Sequence, residues 1–79
     1  MTQKKVVVFT QPGCPPCHAL KAYLSERGIE FEDRDVSTDR EAVEELVHKY
    51  NSRSTPTLVV GDEVLIGFDP DEIDQVLSK

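Results

Sequence analysis

The chain is poor in basic residues, in long apolar runs and in cysteine, and each shortage closes off a class of function. Nine Lys and Arg stand against fifteen Asp and Glu, for a formal net charge of −6 over 79 residues. That balance argues against nucleic acid and against an anionic membrane surface as partners, since both select for positive charge. It is also ordinary chemistry for a small domain in solution. No apolar run approaches the roughly 20 residues of a membrane-spanning helix. Lys4-Lys5 precedes only the short apolar stretch Val6-Val7-Val8-Phe9, which does not read as an export signal. The expectation is therefore a cytoplasmic, monomeric, single domain over residues 1–79, without repeats, low-complexity tracts or linkers. A domain of this size buries only about 60–65% of its unfolded surface. It has room for one small sheet and a few helices but hardly for an internal chamber, so a small substrate must be met at the surface.

The two cysteines of the chain are Cys14 and Cys17, three apart in Cys14-Pro15-Pro16-Cys17. The motif follows the apolar Val6 to Phe9 run and opens a helical pattern. At this spacing on a helix N-terminus both sulfurs lie on one face, close enough to bridge. A bridge that closes so short a loop restrains the unfolded chain little, which makes a purely structural disulfide a poor explanation. The pair reads as a reversible dithiol/disulfide, the redox pattern of a strand that feeds a Cys-x-x-Cys turn. Cys14 is placed at the N-cap, where unpaired N–H groups and the helix dipole favour a thiolate. Cys17, one turn inside, is suited to resolve a mixed disulfide held on Cys14. Pro15 fits the first helical position, but Pro16 removes the second N–H, leaving the Cys17 amide and thiol as the main donors to the Cys14 sulfur. Upstream, the position of note carries neutral Gln11. The thiolate is thus expected to be stabilised less than this scaffold allows, and a less stabilised reduced form means a more reducing potential.

Other readings of the motif fare worse. Cys14 to His18 matches the c-type haem attachment pattern, but no export signal accompanies it and the single Met is Met1. A zinc site needs a second paired half that His18 and His48 do not supply, so no metal site is expected. Simple packing is a poor use of two cysteines at a helix start between prolines.

Taken in order, Lys4 to Thr10 reads as a central strand, apolar on both faces. Gln11-Pro12-Gly13 is the turn that delivers Cys14. A helix from Pro15 to about Arg27 carries Cys17, Leu20 and Leu24 on one stripe, with Ala19 and Tyr23 beside it, and Gly28 ends it. His18 and His48 are expected at the surface. Ile29 to Val36 alternates as an acidic edge strand with Ile29, Phe31 and Asp33 on one side. Its acids scatter over both faces, which argues against a paired-carboxylate hydrolase. Thr38 with Glu41 forms a capping box for a helix over about Asp39 to Tyr50, with Val43, Leu46, Val47 and Tyr50 as its core stripe. Asn51 to Ser54 connects to Thr55-Pro56 and the strand Thr57 to Val60; Gly61-Asp62 turns the chain into the strand Glu63 to Ile66. Asp69-Pro70-Asp71-Glu72 opens a last helix that buries Ile73, Val76 and Leu77. The order is β-α-β-α-β-β-α, with the first two strands parallel and the last two antiparallel, a four-stranded mixed sheet with three helices in the α/β class.

Three motifs in register, Cys14-Pro15-Pro16-Cys17 after a strand, Thr55-Pro56 before a strand and Gly67-Phe68 before the last helix, make essentially the whole chain similar to the glutaredoxin branch of the thioredoxin superfamily. The resemblance implies a thioredoxin-like (glutaredoxin) fold, Cys14 as nucleophile and Cys17 as resolving thiol. It further implies a cis Pro56 facing the disulfide, with the Thr55 backbone free to pair with a bound peptide or glutathione. Substrate contacts are expected from Gln11, Pro16, Thr55, Pro56, Gly67, Phe68 and Asp69. Glutathione-using members usually carry an aromatic where Pro16 stands, often a Lys at the place of Gln11, and a Gly-Gly pair followed by acids that grip glutathione. Here Phe68 replaces the second Gly, and Asp69 matches a helix cap. The stretch from Gly61-Asp62 to Asp71 looks more like the glutaredoxin-like redoxins that serve ribonucleotide reductase, which take electrons from thioredoxin reductase.

The resulting expectation is a dithiol-disulfide oxidoreductase acting on protein or glutathione mixed disulfides. It needs no tightly bound cofactor, and glutathione (as co-substrate) or thioredoxin reductase supplies the electrons. The rival is a non-enzymatic thiol carrier, metal chaperone or redox sensor that binds a partner at the Thr55-Pro56 and Gly67-Phe68 surface, with an iron–sulfur-bridged dimer as a further variant.

Overall fold

In the computed structural model, which describes residues 5–78, the apolar run becomes strand β1 (Val6–Thr10), buried along its whole length. The expected start at Lys4 lies outside the described residues. β1 takes an inner place in the sheet order β2-β1-β3-β4, where β2 is Glu32–Asp35, β3 is Thr57–Val60 and β4 is Glu63–Ile66. β1 runs parallel to β2 and antiparallel to β3, and β3 and β4 form the hairpin. This is the expected thioredoxin-like glutaredoxin topology, β-α-β-α-β-β-α.

Because side chains alternate along β1, the sheet has two apolar faces. Val6 and Val8 meet Leu20 and Leu24 of helix α1 (Pro15–Glu26) and Ile73 and Val76 of α3 (Pro70–Leu77). Val7 and Phe9 meet Ala42 and Leu46 of the helix on the opposite face. Phe9, Leu20, Leu24, Leu58 and Ile73 are fully buried, each contributing about 1.5–3 kcal/mol relative to exposure. α1 ends as expected at Gly28: with φ at +70° its N–H bonds Ser25 O, and the Ile29 N–H reaches back to Leu24 O, closing both orphan carbonyls.

Three local readings are corrected. β2 is only Glu32–Asp35, shorter than Ile29 to Val36, because Ile29 and Phe31 turn down against the α1/α3 core before pairing begins. The second helix is capped by Asp39, not Thr38: the Asp39 carboxylate accepts from the Glu41 and Ala42 N–H groups, so Glu41 stands at the second helical position rather than the third. That helix, α2 (Arg40–Glu44), widens into a π-helical turn over Glu45–Lys49, which rotates the side chains beyond it. Ala42 and Leu46 are the buried positions, while Val43 is 38% exposed, so the core stripe lies one residue away from the expected start.

Candidate functional site

Two prolines without N–H groups begin α1, and Cys14 sits at its N-cap in extended backbone, as expected. Its carbonyl accepts from the N–H groups of Cys17 at 3.0 Å and His18 at 3.2 Å. The Cys17 amide thus bonds the Cys14 carbonyl, and in the disulfide state the Cys14 side chain makes no cap hydrogen bond. In its place, the Thr55 hydroxyl points at the Cys14 sulfur from 3.9 Å. Cys14 and Cys17 are joined by a disulfide with their Cα atoms 5.3 Å apart. Cys14 keeps 8% of its surface exposed and Cys17 1%, so an attacking or leaving sulfur has access to Cys14 first.

The Thr55–Pro56 peptide is cis. Among the described residues neither the Thr55 N–H nor its carbonyl finds a backbone partner, which leaves both groups unpaired at the residue whose hydroxyl points at Cys14. The Pro56 carbonyl accepts from the Gly67 N–H at 2.8 Å, and Gly67 adopts φ +89°, a conformation that favours glycine. Phe68, next along, packs edge-on to Tyr23 of α1 with ring centroids 5.7 Å apart. Asp69 spends its carboxylate on the Asp71 and Glu72 N–H groups at the start of α3. Gln11 and Thr55 open onto a groove of about 600 Å³ floored by Val36, Leu46 and Val47 and edged by Val43 and Arg53. Pro16 is exposed on α1. Thus Thr55 is brought to Cys14, Gln11 lines the same groove as Thr55, Gly67 is bonded to Pro56, and Asp69 faces α3.

Underneath, two ties anchor the edge strand β2. Asp33 accepts from the Thr10 hydroxyl at 2.6 Å and from Lys21 Nζ at 2.8 Å. Partial burial pushes the Asp33 carboxyl up, but the bonds from Lys21 and Thr10 and the nearby Lys21 and His18 charges prevail and hold it below the ordinary aspartate range. On the other face Arg34 reaches Glu45 at 2.9 Å, Glu32 at 3.3 Å and Asp39 at 3.6 Å, joining β2 to α2 and its π-turn. Farther out, Tyr23 donates to Asp74 and accepts from Arg27, pinning α1 to α3. The Asp74 carboxylate bond is the main cause that raises the Tyr23 hydroxyl pKa, with burial adding to it and Arg27 opposing it.

Sequence reading missed Ser52 and Thr57, both fully buried, whose hydroxyls lie 2.9 Å apart beneath Thr55. The hydroxyl-rich run Ser52 to Thr57 around Pro56 is the signal that marks them. Among the described residues no three His, Cys, Asp or Glu side chains converge as metal ligands, and no helix is long and apolar enough to cross a membrane.

A family model described as Glutaredoxin matches residues 6–65. The glutaredoxin-like protein NrdH of Escherichia coli strain K12 is 33% identical over 72 residues, covering 91% of this chain and 88% of that protein. Among solved structures, the thioredoxin-like protein BC3987 superposes with a TM-score of 0.89 at 41% identity, over 92% of this chain and all of that one (100%). The NrdH-redoxin of Escherichia coli, whose structure is described as the basis for a thioredoxin-like activity profile, gives 0.80 at 32% identity over 90% and 92% of the two chains.

Proposed function

The chain belongs to the glutaredoxin family, and on that premise we propose that it works as a protein-disulfide reductant reloaded by a thioredoxin-reductase-type flavoenzyme rather than by glutathione. The Cys14 thiolate attacks one sulfur of a substrate disulfide, forming a mixed disulfide and expelling the other sulfur as a thiolate. The Cys17 thiolate then attacks the Cys14 sulfur, closing the Cys14–Cys17 disulfide and releasing the second substrate sulfur. Two electrons pass from the pair to the substrate, and solvent protons complete its two thiols. The reductase returns two electrons to the pair. Thr55 offers its free backbone edge to an extended substrate segment, strand against strand. A dithiol that must be recovered in the reduced state belongs in a reducing compartment such as the cytoplasm.

The observation that carries the choice of donor is Asp69. Its Oδ1 accepts from the Asp71 and Glu72 N–H groups, which sets the carboxylate at the α3 cap, a placement that favours a capping role over a grip on the ammonium end of glutathione. Gln11 on the same groove is neutral, and Arg53 is the one cation among its lining residues. The thioredoxin-like profile named for the NrdH-redoxin structure supports the same reading.

The test is NADPH consumption with a protein disulfide in two arms. One arm holds thioredoxin reductase, the other glutathione with glutathione reductase. Turnover in the first arm alone is the expected result. Turnover confined to the glutathione arm would assign the chain to glutathione chemistry, and silence in both would favour a binding module.

A further inference from the structure

Ser52 and Thr57 form, with the peptide groups of Ser54, a closed hydrogen-bond circuit. The Thr57 hydroxyl donates to the Ser54 carbonyl at 2.6 Å, which uses its single proton. In the 2.9 Å contact between the two side chains the Ser52 hydroxyl must therefore be the donor. The circuit closes where the Ser54 N–H donates to the Ser52 oxygen at 3.4 Å. Both peptide groups of the residue before Thr55 are thus held by two hydroxyls, and each of those residues is tied to a rigid element. Ser52 donates its own N–H to Leu46 O in the π-turn at 2.9 Å, and Thr57 lies in β3 between Phe9 and Ile66. Ser52 is 2% exposed and Thr57 0%. Buried hydroxyls need partners, but a solvent-facing loop at this place would have found them in water. Here they are turned inward to fix the two peptide groups that flank Ser54.

We propose that Ser52 and Thr57 are positioning residues for the redox reaction: they hold Ser54 so that Thr55 keeps its backbone edge aligned for substrate and its hydroxyl aimed at the Cys14 sulfur. Neither touches the reacting atoms. The Thr55 hydroxyl, 3.9 Å from that sulfur in the disulfide state, favours the Cys14 thiolate once the pair is reduced, because a donor to sulfur stabilises the charged form. Loss of the circuit frees the Ser54 peptide to rotate, carrying Thr55 away. The thiolate then loses its donor and the substrate segment its strand partner. The role is independent of which reductant reloads the pair.

The experiment compares the reduced wild-type protein with Thr57→Val, Thr57→Ser and Ser52→Ala. Each is mixed with a disulfide-containing peptide and, separately, with dithiodipyridine, a small disulfide that needs no strand pairing. The Cys14 thiolate is titrated by its ultraviolet absorbance at a temperature where circular dichroism shows the variant folded. For Thr57→Val the peptide rate is expected to fall roughly tenfold to a hundredfold relative to the dithiodipyridine rate, the scale of a misplaced contact near a reacting centre. The thiolate titration should move upward, Ser52→Ala should follow in the same direction to a smaller extent, and Thr57→Ser should restore both readouts. Folded variants with wild-type rate ratios and titration would overturn the proposal and leave the circuit as packing alone. If Thr57→Val does not fold, Ser52→Ala decides on the same two readouts. A wild-type protein inert toward the peptide disulfide would count against the proposed function itself, which separates the two failures.

Discussion

The backbone N–H of Gly67 donates to the carbonyl of Pro56 at 2.8 Å, although the two residues belong to different connections, one entering α3 and one entering β3. That bond couples the Gly67-Phe68 turn to the Thr55–Pro56 segment, whose Thr55 hydroxyl points at the Cys14 sulfur. β3 and β4 supply the frame, with Thr57 opposite Ile66 at the end of the ladder nearest the site.

Gly67→Ala tests that coupling. At φ +89° the backbone is strained for any residue with a Cβ, yet an added Cβ would meet nothing within 4 Å. The cost is therefore backbone strain without a clash, about 1 kcal/mol, or a fall of roughly 4–8 °C in Tm for a domain of this size. Differential scanning calorimetry should show that loss, with a modest slowing toward protein disulfides as the turn relaxes away from Pro56.

Cys14 and Cys17 should separate by substitution. Cys14→Ser is expected to abolish disulfide reduction. Cys17→Ser should stop at a mixed disulfide between Cys14 and the substrate, because attack can occur and resolution cannot. Intact-mass measurement distinguishes the two, since a covalent adduct should accumulate with Cys17→Ser and not with Cys14→Ser.

Asp69→Ala should weaken α3 by removing the acceptor for two N–H groups, at a cost of about 1 kcal/mol, whereas Asp69→Asn should recover most of it. Thermal melts of the two variants check this. A fully stable Asp69→Ala protein would contradict the cap.

The Asp33 carboxyl has its pKa lowered in the folded state, so the sign of its pH dependence follows directly. It contributes stability above the ordinary aspartate pKa, and that contribution is lost as the pH falls through the lowered folded value. Urea titrations of the wild type across the acidic range should show stability declining there. Asp33→Asn should flatten that decline and cost about 1 kcal/mol at neutral pH through the bonds to Thr10 and Lys21. An unchanged slope in the variant would place the acid sensitivity elsewhere.

The order of elements, the redox pair at a helix start, the Gly28 stop, the Asp69 cap and the hairpin at Gly61-Asp62 were all legible in the sequence. Each depends on residues within a few positions of one another: alternation in β1, a 3.6-residue stripe in α1, proline and aspartate at a helix entry. Such signals are local, and local chemistry dictates them before any long-range contact forms. The cap at Asp39 was misplaced by one residue because Thr38 and Asp39 are both good N-caps, and only the path of the chain leaving β2 chooses between them. The stripe of α2 was misread for a related reason. The π-turn at Glu45–Lys49 breaks the helical period, and the sheet surface beneath Ala42 and Leu46 decides which side is buried.

Tertiary structure alone decided which polar side chains meet across long stretches of chain. Thr55 meets Cys14 across 41 residues of sequence, Asp33 meets Thr10 across 23, and Tyr23 meets Asp74 across 51. No periodicity encodes such pairs. They follow from burying two apolar faces of one four-stranded sheet, which leaves polar side chains at its ends to find whichever partners the packing brings within reach.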